Sequence, residues 1–517
     1  MRRLSRTLTA AAAAALVIAP AGAASAHGAN PHVRTGTAAL PTPILASPNV
    51  HLLANFPDTQ MISGVFSPDG KFFYSSSADS ISVYDTSTPT LPVLKGILPN
   101  LVFENEAMTY GEKRDAFGKL TARFVLVGVD LYNVSGDPEH IDALGKRLLV
   151  IDVTNPTNPF IRSSTPSSAS APGAVTTSTH TVTCSNVARC EWAYSAGTGG
   201  VFSVIDLRDL NNPKQAKTLK SPANGPGLTF RTGAGHKFDI DDAGYAFHTG
   251  SVGGALFDTR HRQGNPLLIN ATNPQGNQTP YNDFILHNSQ RPNAKLFQPY
   301  TAPSVNKGNV LLITEEDYFN DGDETACDKA GTIQTWYVPT LVDPDGVSAT
   351  MPGTGNIRPL DIANIPNENP VGGLTTPVGA FCSAHWFDFH QSGILAQGYY
   401  QQGLRFVDVR DPYNIKQYGY FTGGASEVWD AYWVPTGKRN PNGSAIKSNI
   451  VYTADFVRGI DVLCVELPGQ ATCPSPVPAT AAKASTRPGP VSAMALPLVG
   501  ITALLGVATR IRRRLER

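Results

Sequence analysis

Charged residues are scarce in this sequence. They make up 16% of its 517 residues, and 41 basic residues balance 41 acidic ones. So little charge argues against coiled coils and helical bundles, while a hydrophobic content of 41% argues against wholesale disorder. The sequence has no Gly-x-Ser-x-Gly nucleophile elbow and no phosphate-binding loop. No CxxC pair occurs among its six cysteines, so neither a zinc ribbon nor a thioredoxin-like fold has support.

Glycine and proline are abundant instead, with 47 and 41 residues. This composition favours many turns between short strands. The chain is far too long for one small domain, although one large repeat fold could use all of it.

Both ends of the chain predict export. Residues 1–26 combine Arg2, Arg3 and Arg6, an apolar alanine-rich stretch and an A-x-A site at 24–26, which is the pattern of a secretory signal peptide. The mature chain is therefore predicted to begin at His27. Residues 491–509 are uncharged and almost wholly apolar, and as a helix they would span about 28 Å, enough for a bilayer core. The arginine-rich tail that follows predicts a cytoplasmic C-terminus.

The net charge of zero is an average over unlike parts. Without the eight Arg of the two ends and Glu516, residues 27–489 hold 33 basic and 40 acidic residues, a net charge of −7. An acidic exported part disfavours nucleic acid or anionic lipid as its main partner.

An even number of cysteines in an exported chain predicts disulfides. Cys184–Cys190 and Cys464–Cys473 are favoured as local loops, which leaves Cys327–Cys382. Six cysteines allow fifteen pairings, so the other pairings stay open.

One sequence motif recurs between the two ends: a short run of β-forming residues that ends in Asp, then a turn, then another run of β-forming residues. The copies end at Asp85, Asp152, Asp206, Asp258, Asp408 and Asp461, and a degenerate copy occupies 334–337. Asp suits this place because its carboxylate accepts backbone N–H bonds in the following turn. Each copy has further strand-like runs on either side, which gives four strands per unit. Seven such units predict an all-β fold, a seven-bladed β-propeller.

The last unit stops at residues 462–466 and lacks a fourth strand. Residues 50–56 have the pattern of an outer strand, and we predict that they complete the seventh blade and leave no open edge in the ring. The predicted organisation is a signal peptide (1–26), an N-terminal extension (27–49), the propeller (50–467), a Pro/Ala/Ser/Thr-rich stalk (468–490), a transmembrane helix (491–509) and a basic cytoplasmic tail (510–517).

The runs LLVID at 148–152 and LRFVD at 404–408 resemble those of LVIVD-repeat proteins, a family of secreted or surface-anchored bacterial β-propellers. The resemblance covers most of residues 50–467. It implies the propeller fold and a secreted or surface-anchored location, but no single activity. The apolar run and the basic tail predict a location in the cell membrane, with the propeller outside.

The strands that open the units would line the central channel, and several share a pattern: His or Glu, any residue, an apolar residue, then Asp or Thr. Equivalent positions in different blades converge on one axis, so their first residues should meet near one channel mouth. Imidazole suits copper, iron or zinc, and carboxylates could bind the ion or orient imidazole N–H groups. The predicted ligands of this transition-metal site are His180, His236, His287, His385, Glu106 and Glu427.

A second interpretation of these histidines stays open, because inner-strand His side chains can hydrogen-bond neighbouring blades without any metal. Two further segments give weaker candidate sites. Glu315, Glu316 and Asp317 could reach the same mouth, although a solvated strand end is favoured. The loop 317–328 is rich in oxygen ligands and could hold calcium, but it lacks EF-hand spacing. His390 is interpreted as a surface residue.

Two functions from different classes fit the sequence. The first is a surface-anchored, monomeric binding or scaffold module for an extracellular protein or small-molecule ligand, with or without a metal in its channel. The second is a metal-dependent oxidoreductase, by analogy with seven-bladed enzymes that look similar in plan, such as carotenoid oxygenases and selenium-binding-type thiol oxidases. The sequence identifies no catalytic residue.

Overall fold

The computed structural model is an all-β fold, a seven-bladed β-propeller, and the residues that it describes contain almost no helix. It describes residues 44–57, 60–77, 80–99, 106–129, 147–167, 174–175, 179–196, 201–220, 235–251, 253–260, 263–264, 266–272, 285–316, 331–342, 357–369, 371, 382–441, 443–470 and 472–474. The predicted signal peptide, transmembrane helix and tail lie outside these residues, as does most of the stalk. Within the described part, no helix has the length and apolar character needed to cross a membrane.

Each blade is an antiparallel sheet with four propeller strands. From the channel outwards, blade 1 contains Met61–Phe66, Phe72–Ser77, Ser80–Asp85 and Val93–Pro99; blade 2 contains Thr109–Arg114, Leu120–Val129, Arg147–Asp152 and Phe160–Pro166; blade 3 contains Thr181–Cys184, Trp192–Ala196, Val201–Asp206 and Lys214–Lys220. In the same order, blade 4 contains Gly235–Ile240, Tyr245–Gly250, Gly253–Asp258 and Leu267–Ala271; blade 5 contains Ile285–Gln290, Val310–Glu316, Ile333–Tyr337 and Arg358–Ala363. Blade 6 contains Phe387–His390, Ile394–Gly398, Leu404–Asp408 and Lys416–Gly423; blade 7 contains Val428–Arg439, Ala445–Asp455, Ile460–Val465 and Val50–Phe56.

The predicted closure of the ring is confirmed. Val50–Phe56 pairs antiparallel with Ile460–Val465, so the start of the described chain supplies the outermost strand of the last blade. Ile44–Ala46, within the predicted N-terminal extension, adds a fifth strand at the outer edge of blade 6. The short helices among the described residues are the 3-10 turns Val187–Arg189, Ala294–Leu296 and Val305–Lys307 and the α-helix Ile365–Glu368.

The recurring Asp ends the third strand of a blade and caps the turn that follows. Asp152 accepts the Thr154 N–H at 2.9 Å, and Asp408 accepts the Arg410 N–H at 3.0 Å. The match predicted for blade 7 is wrong, because Asp461 is the second residue of its strand. In blade 7 the repeated motif is therefore shifted along the third strand, and the residue that follows the end of this strand is Glu466.

Apolar side chains from adjacent blades pack against one another and form the core. Leu126 and Val150 of blade 2, for example, share one buried cluster with Val182 and Ile205 of blade 3. Burial of this kind stabilises a fold by about 25 cal/mol per Å² of apolar surface. Each inner strand is thus held from both sides, which fixes the side chains at the channel.

Both predicted local disulfides, Cys184–Cys190 and Cys464–Cys473, are present. Cys382 is also disulfide-bonded. Its predicted partner, Cys327, lies outside the described residues.

Candidate metal centre on the propeller axis

Five of the six residues predicted at the channel mouth come together. Glu106, His180, His236, His287 and His385 lie at or just before the inner strands of blades 2 to 6, and their exposures are between 0 and 3%. A parallel bridge between Ala107 and Thr181 ties the start of blade 2 to that of blade 3. Equivalent strand starts therefore converge at one level of the axis.

The carboxylate of Glu106 occupies the centre of this cluster. Its Oε1 lies 2.7 Å from His385 Nε2 and 3.1 Å from His287 Nε2. Its Oε2 contacts His180 Nε2 and lies 3.8 Å from His236 Nε2. The last two imidazole nitrogens also meet, since His180 Nε2 and His236 Nε2 are 3.0 Å apart. All four imidazoles thus present Nε2 to one carboxylate.

Glu316 is the sixth member of the cluster. It is the last residue of the second strand of blade 5, fully buried, and its carboxylate oxygens lie 3.6 Å from Nε2 of both His287 and His385. The favoured interpretation of a solvated strand end is therefore wrong for Glu316. Glu315 is buried as well, and its Oε2 accepts the Gly331 N–H at 3.2 Å.

Glu427 does not join the cluster. It is buried and accepts a hydrogen bond from Trp429 Nε1 at 3.0 Å, but it belongs to none of the described groups whose ligand atoms lie within 4.8 Å of one another. Its N–H donates to Asp455 Oδ1, which fixes the chain just before the inner strand of blade 7. The prediction that Glu427 supports the site is not met by this geometry.

Main-chain carbonyls set the orientation of two imidazoles. Nδ1 of His236 lies 2.8 Å from the His287 carbonyl, and Nδ1 of His385 lies 2.7 Å from the Trp429 carbonyl. A carbonyl oxygen only accepts, so each Nδ1 carries the proton and donates. In the neutral ring, Nε2 then offers its lone pair to the cluster, as a metal ligand does. The two interpretations of the histidines are thus compatible, because Nδ1 links the blades while Nε2 stays available.

A close approach between blades 6 and 7 makes the second of these bonds possible. A Cβ on Gly398 would lie 2.7 Å from the carbonyl oxygens of Val428 and Trp429. Only glycine allows the two backbones to come so near, which delivers the Trp429 carbonyl to His385.

Burial keeps the imidazoles of His236 and His287 neutral. It lowers the pKa of His287 to about 3, and the neighbouring His385 adds to the effect. Burial also lowers the pKa of His236 well below its ordinary value, with further contributions from His287 and His180. Glu106 opposes both pKa shifts without overcoming them. Neutral imidazole is the form that binds metal ions.

The distances fit a shared cation. Two ligand atoms about 2.1 Å from an ion and at right angles to each other lie about 3.0 Å apart. The three groups of this kind among the described residues are Glu106/His180/His236, Glu106/His287/His385 and His236/His287/Glu316. Imidazole nitrogens and carboxylate oxygens together suit copper, iron or zinc.

Aromatic side chains enclose the cluster. The Trp386 ring lies 4.5 Å from the His287 ring, and its Nε1 donates to Glu106 Oε1 at 3.1 Å. The Tyr400 ring lies 4.6 Å from the His385 ring, and its hydroxyl donates to Glu316. The backbone of Tyr400 has a φ of 47°, in the left-handed region that a bulky residue rarely adopts. Both aromatic residues shield the site from water.

The other predicted sites add no ligand to this cluster within the described residues. The loop 317–328, a weaker candidate for calcium, lies outside the described residues, as does His27. His390 is buried, contrary to the prediction that it lies on the surface, and its Nε2 lies 3.2 Å from the Lys447 carbonyl.

The sequence did not lead to a prediction for Tyr400, and it made Glu316 only a weaker candidate. In an antiparallel blade, the end of the second strand lies beside the start of the first, as the pairing of Ile285 with Glu316 illustrates. The turn between the second and third strands shares that face. Polar residues at the end of a second strand, or in the turn that follows it, could therefore have been predicted to lie near the cluster.

No protein-family model and no curated protein matches this chain. Among solved structures, the chain is similar to the β-propeller domain of Cps50 (Swd1) from Myceliophteria thermophila, with 11% identity and a TM-score of 0.48. The likeness covers 81% of this chain and all of that one.

Tyr400→Phe is expected to weaken metal binding about 10- to 100-fold, because it removes the hydroxyl that holds Glu316 and keeps the ring. Affinity is measured by competition with a chelator of known strength. The matched control is Tyr194→Phe, since that buried hydroxyl donates to the Gln263 carbonyl, away from the cluster. Equal losses in both variants would contradict a role for Tyr400 at the site.

In the metal-free chain, two buried histidines are expected to contribute less stability as pH falls from 6.5 to about 4, whereas Asp239 and Asp455, whose pKa burial raises to about 6, act in the opposite direction. Burial, helped by the charge of Lys447, lowers the pKa of His390 to about 4, and burial lowers that of His248 to about 3. Since the folded pKa values of these two imidazoles are the lower ones, each binds more protons in the unfolded chain in this window, and each lowers the stability by up to about 1.4 kcal/mol per pH unit as pH falls. Urea unfolding at pH 7 and pH 5 measures the loss. His390→Gln should reduce it, and an unchanged pH dependence would count against a role for this buried imidazole.

Proposed function

We propose that the chain is an exported, surface-anchored metal-binding β-propeller, a ligand-binding module whose channel holds one transition-metal ion. The proposed ligands come from His180, His236, His287, His385, Glu106 and Glu316. The signal-like and basic ends of the sequence, and its resemblance to LVIVD-repeat proteins, support export and anchoring.

One observation carries the proposal of a metal. Nε2 of His385 lies 2.7 Å from Glu106 Oε1 although its Nδ1 already donates to the Trp429 carbonyl. Without a proton or a metal cation between them, a lone pair and a carboxylate would face each other where both residues are buried. A shared cation relieves this contact, and it also offsets the desolvation of two buried carboxylates.

Elemental analysis tests this proposal. Residues 27–489 would be purified, reconstituted in turn with copper, iron and zinc, and freed of loosely bound ions. The expected result is one ion per folded chain for the preferred metal. A folded chain that retains no stoichiometric metal after each reconstitution would refute the proposed metal site.

Location is tested separately, with the full-length chain expressed in a bacterial host. Most of the protein should fractionate with membranes, and protease added to intact cells should remove the propeller. Soluble protein in the cytoplasm, with its signal segment intact, would refute the proposed export without touching the metal site.

A metal-dependent oxidoreductase is the second candidate. It is favoured by a pocket of about 370 Å³ that lies along the same inner strands and is lined by Asp239 and Asp388, three residues beyond His236 and His385. A pocket of this size could hold a small substrate, although none of the six cluster residues lines it. Metal-dependent oxygen uptake in the presence of small thiols or polyenes would support this function. Uptake no faster than that of the free metal would contradict it.

A further inference from the structure

A fully buried arginine, Arg405, lies in the third strand of blade 6. Its Nε donates to the Gln402 carbonyl at 3.2 Å. Its Nη1 donates to the Asn369 carbonyl at 3.0 Å and to Gln417 Oε1 at 2.7 Å. All three acceptors are uncharged. The remaining nitrogen, Nη2, is buried and has no hydrogen-bond partner, so one end of the guanidinium lacks an acceptor.

The positive charge of Arg405 has no carboxylate beside it. Among the residues that the structure describes, no Asp or Glu oxygen lies within 4.0 Å of its nitrogens. Burial lowers the pKa of Arg405 to about 10, and the nearby Tyr399 and Tyr420 oppose this shift without overcoming it, so the side chain stays charged at neutral pH. The buried Arg291, by comparison, forms an ion pair with Asp241. An unpaired buried charge is unfavourable, which makes Arg405 the exception that needs a partner.

Two neighbouring side chains carry further polar atoms without partners. Gln397 pairs directly with Arg405 across the second and third strands of blade 6, so the two side chains lie on the same face. Tyr399 follows two residues later and packs in the same buried cluster as Leu395, which shares that face. Neither Gln397 nor Tyr399 is exposed. Both amide atoms of Gln397 lack a partner, and the Tyr399 hydroxyl, which lies near the Ile365 backbone, makes no hydrogen bond of good geometry.

We propose that these three side chains bind a buried chloride ion. The atoms without partners include three donors, namely Arg405 Nη2, Gln397 Nε2 and the Tyr399 hydroxyl, so the site suits an acceptor. Water could accept these bonds but would leave the positive charge uncompensated, whereas an anion accepts the bonds and also neutralises the charge. Because all of these atoms are shut off from solvent, the anion must be small. None of the three side chains is a proposed metal ligand, so this site is separate from the metal centre.

Bromide identifies the ion, because it can replace chloride and scatters anomalously. Crystals of the metal-free chain would be grown with bromide as the only halide, and data would be collected at the bromine absorption edge. Removal of the metal ensures that no bromide is held as a metal ligand. The expected result is an anomalous peak in contact with Arg405 Nη2 and Gln397 Nε2. An ordered water at this position, or a site without density, would overturn the proposal.

Thermal unfolding tests the same site in solution. The melting temperature of the metal-free chain should rise as chloride replaces gluconate at constant ionic strength, because a ligand that binds only the folded chain stabilises it. Gln397→Met removes one donor and should weaken chloride binding by about tenfold or more, since hydrogen bonds to charged groups are the stronger ones. Arg405→Met removes the charge and should abolish the dependence on chloride.

Gln334→Met is the matched control. Gln334 is equally buried, in the third strand of blade 5, but both of its amide atoms have partners. Its Nε2 donates to Thr332 Oγ1 at 3.0 Å, and its Oε1 accepts from Trp336 Nε1 at 2.9 Å. This variant should lose stability but keep the chloride dependence of the wild type. A wild type that does not respond to chloride, or an equal response in Gln397→Met, would overturn the proposal, and both results stand even if Arg405→Met does not fold.

Discussion

Glu106→Gln is expected to lower metal affinity by about 100-fold or more, the largest effect of any single change. Glu106 is the one residue of the described cluster whose carboxylate contacts or approaches all four imidazoles, and glutamine has the same shape but no charge. Loss of a residue that supports a ligand already weakens binding about 10- to 100-fold, so loss of a central ligand should exceed that range. Competition with a chelator measures the affinity of the wild type and the variant.

The same change should stabilise the metal-free chain. The amide of glutamine can donate to imidazole nitrogens that the carboxylate only faces, and Trp386 Nε1 can still donate to its oxygen. The expected signature is therefore a lower free energy of unfolding than the wild type with metal and a higher one without it. Urea unfolding in both states measures this reversal.

Glu427→Gln is the matched control for this pair of measurements. Glu427 is equally buried and also accepts a bond from a tryptophan Nε1, but it lies outside the cluster. Its metal affinity should equal that of the wild type. A similar loss of affinity in both variants would show that the effect is general destabilisation and not ligand loss.

Removal of residues 44–57 is expected to have the largest effect on stability. Without Val50–Phe56, the strand Ile460–Val465 becomes an open edge, and the burial of Val50 and Leu53 is lost. Two such side chains and the lost strand pairing together should lower the free energy of unfolding by about 5 kcal/mol or more. The exposed edge should also cause aggregation. Denaturant unfolding and size-exclusion chromatography measure the two effects.

A chain that begins at Ser47 is the control. It lacks only Ile44–Ala46 of the described strands, the outer strand of blade 6, in which Ile44 is 50% exposed. Its stability should stay within about 1 kcal/mol of the full propeller. Equal stability of the two shortened chains would contradict closure of the ring by Val50–Phe56.

The architecture was predictable because the sequence repeats. A run of apolar residues that ends in Asp recurs, and its carboxylate caps the next turn wherever it ends the strand, as at Asp152. Blade 7 shows the limit of this signal. The residues Gly459-Ile460-Asp461 match the repeated motif, but the strand pairing, and not the motif, determines the register.

The site was predictable in part for the same reason. Repeat symmetry brings the strand starts to one axis, which is why His180, His236, His287 and His385 meet. Symmetry says nothing of how far a side chain reaches, so it could not separate Glu106, which fills the centre, from Glu427, which turns to Trp429. Glu316 and Tyr400 lie outside the repeated position and become visible only when strand ends are placed in three dimensions.

The most direct test of the metal centre is a crystal structure of the reconstituted chain, with diffraction data collected at the absorption edge of its preferred metal. We expect one anomalous peak, about 2.0 to 2.2 Å from Nε2 of at least three of the four histidines and bound by a Glu106 oxygen. An empty cluster, or a peak elsewhere with the imidazoles still gathered around Glu106, would contradict the proposed metal centre.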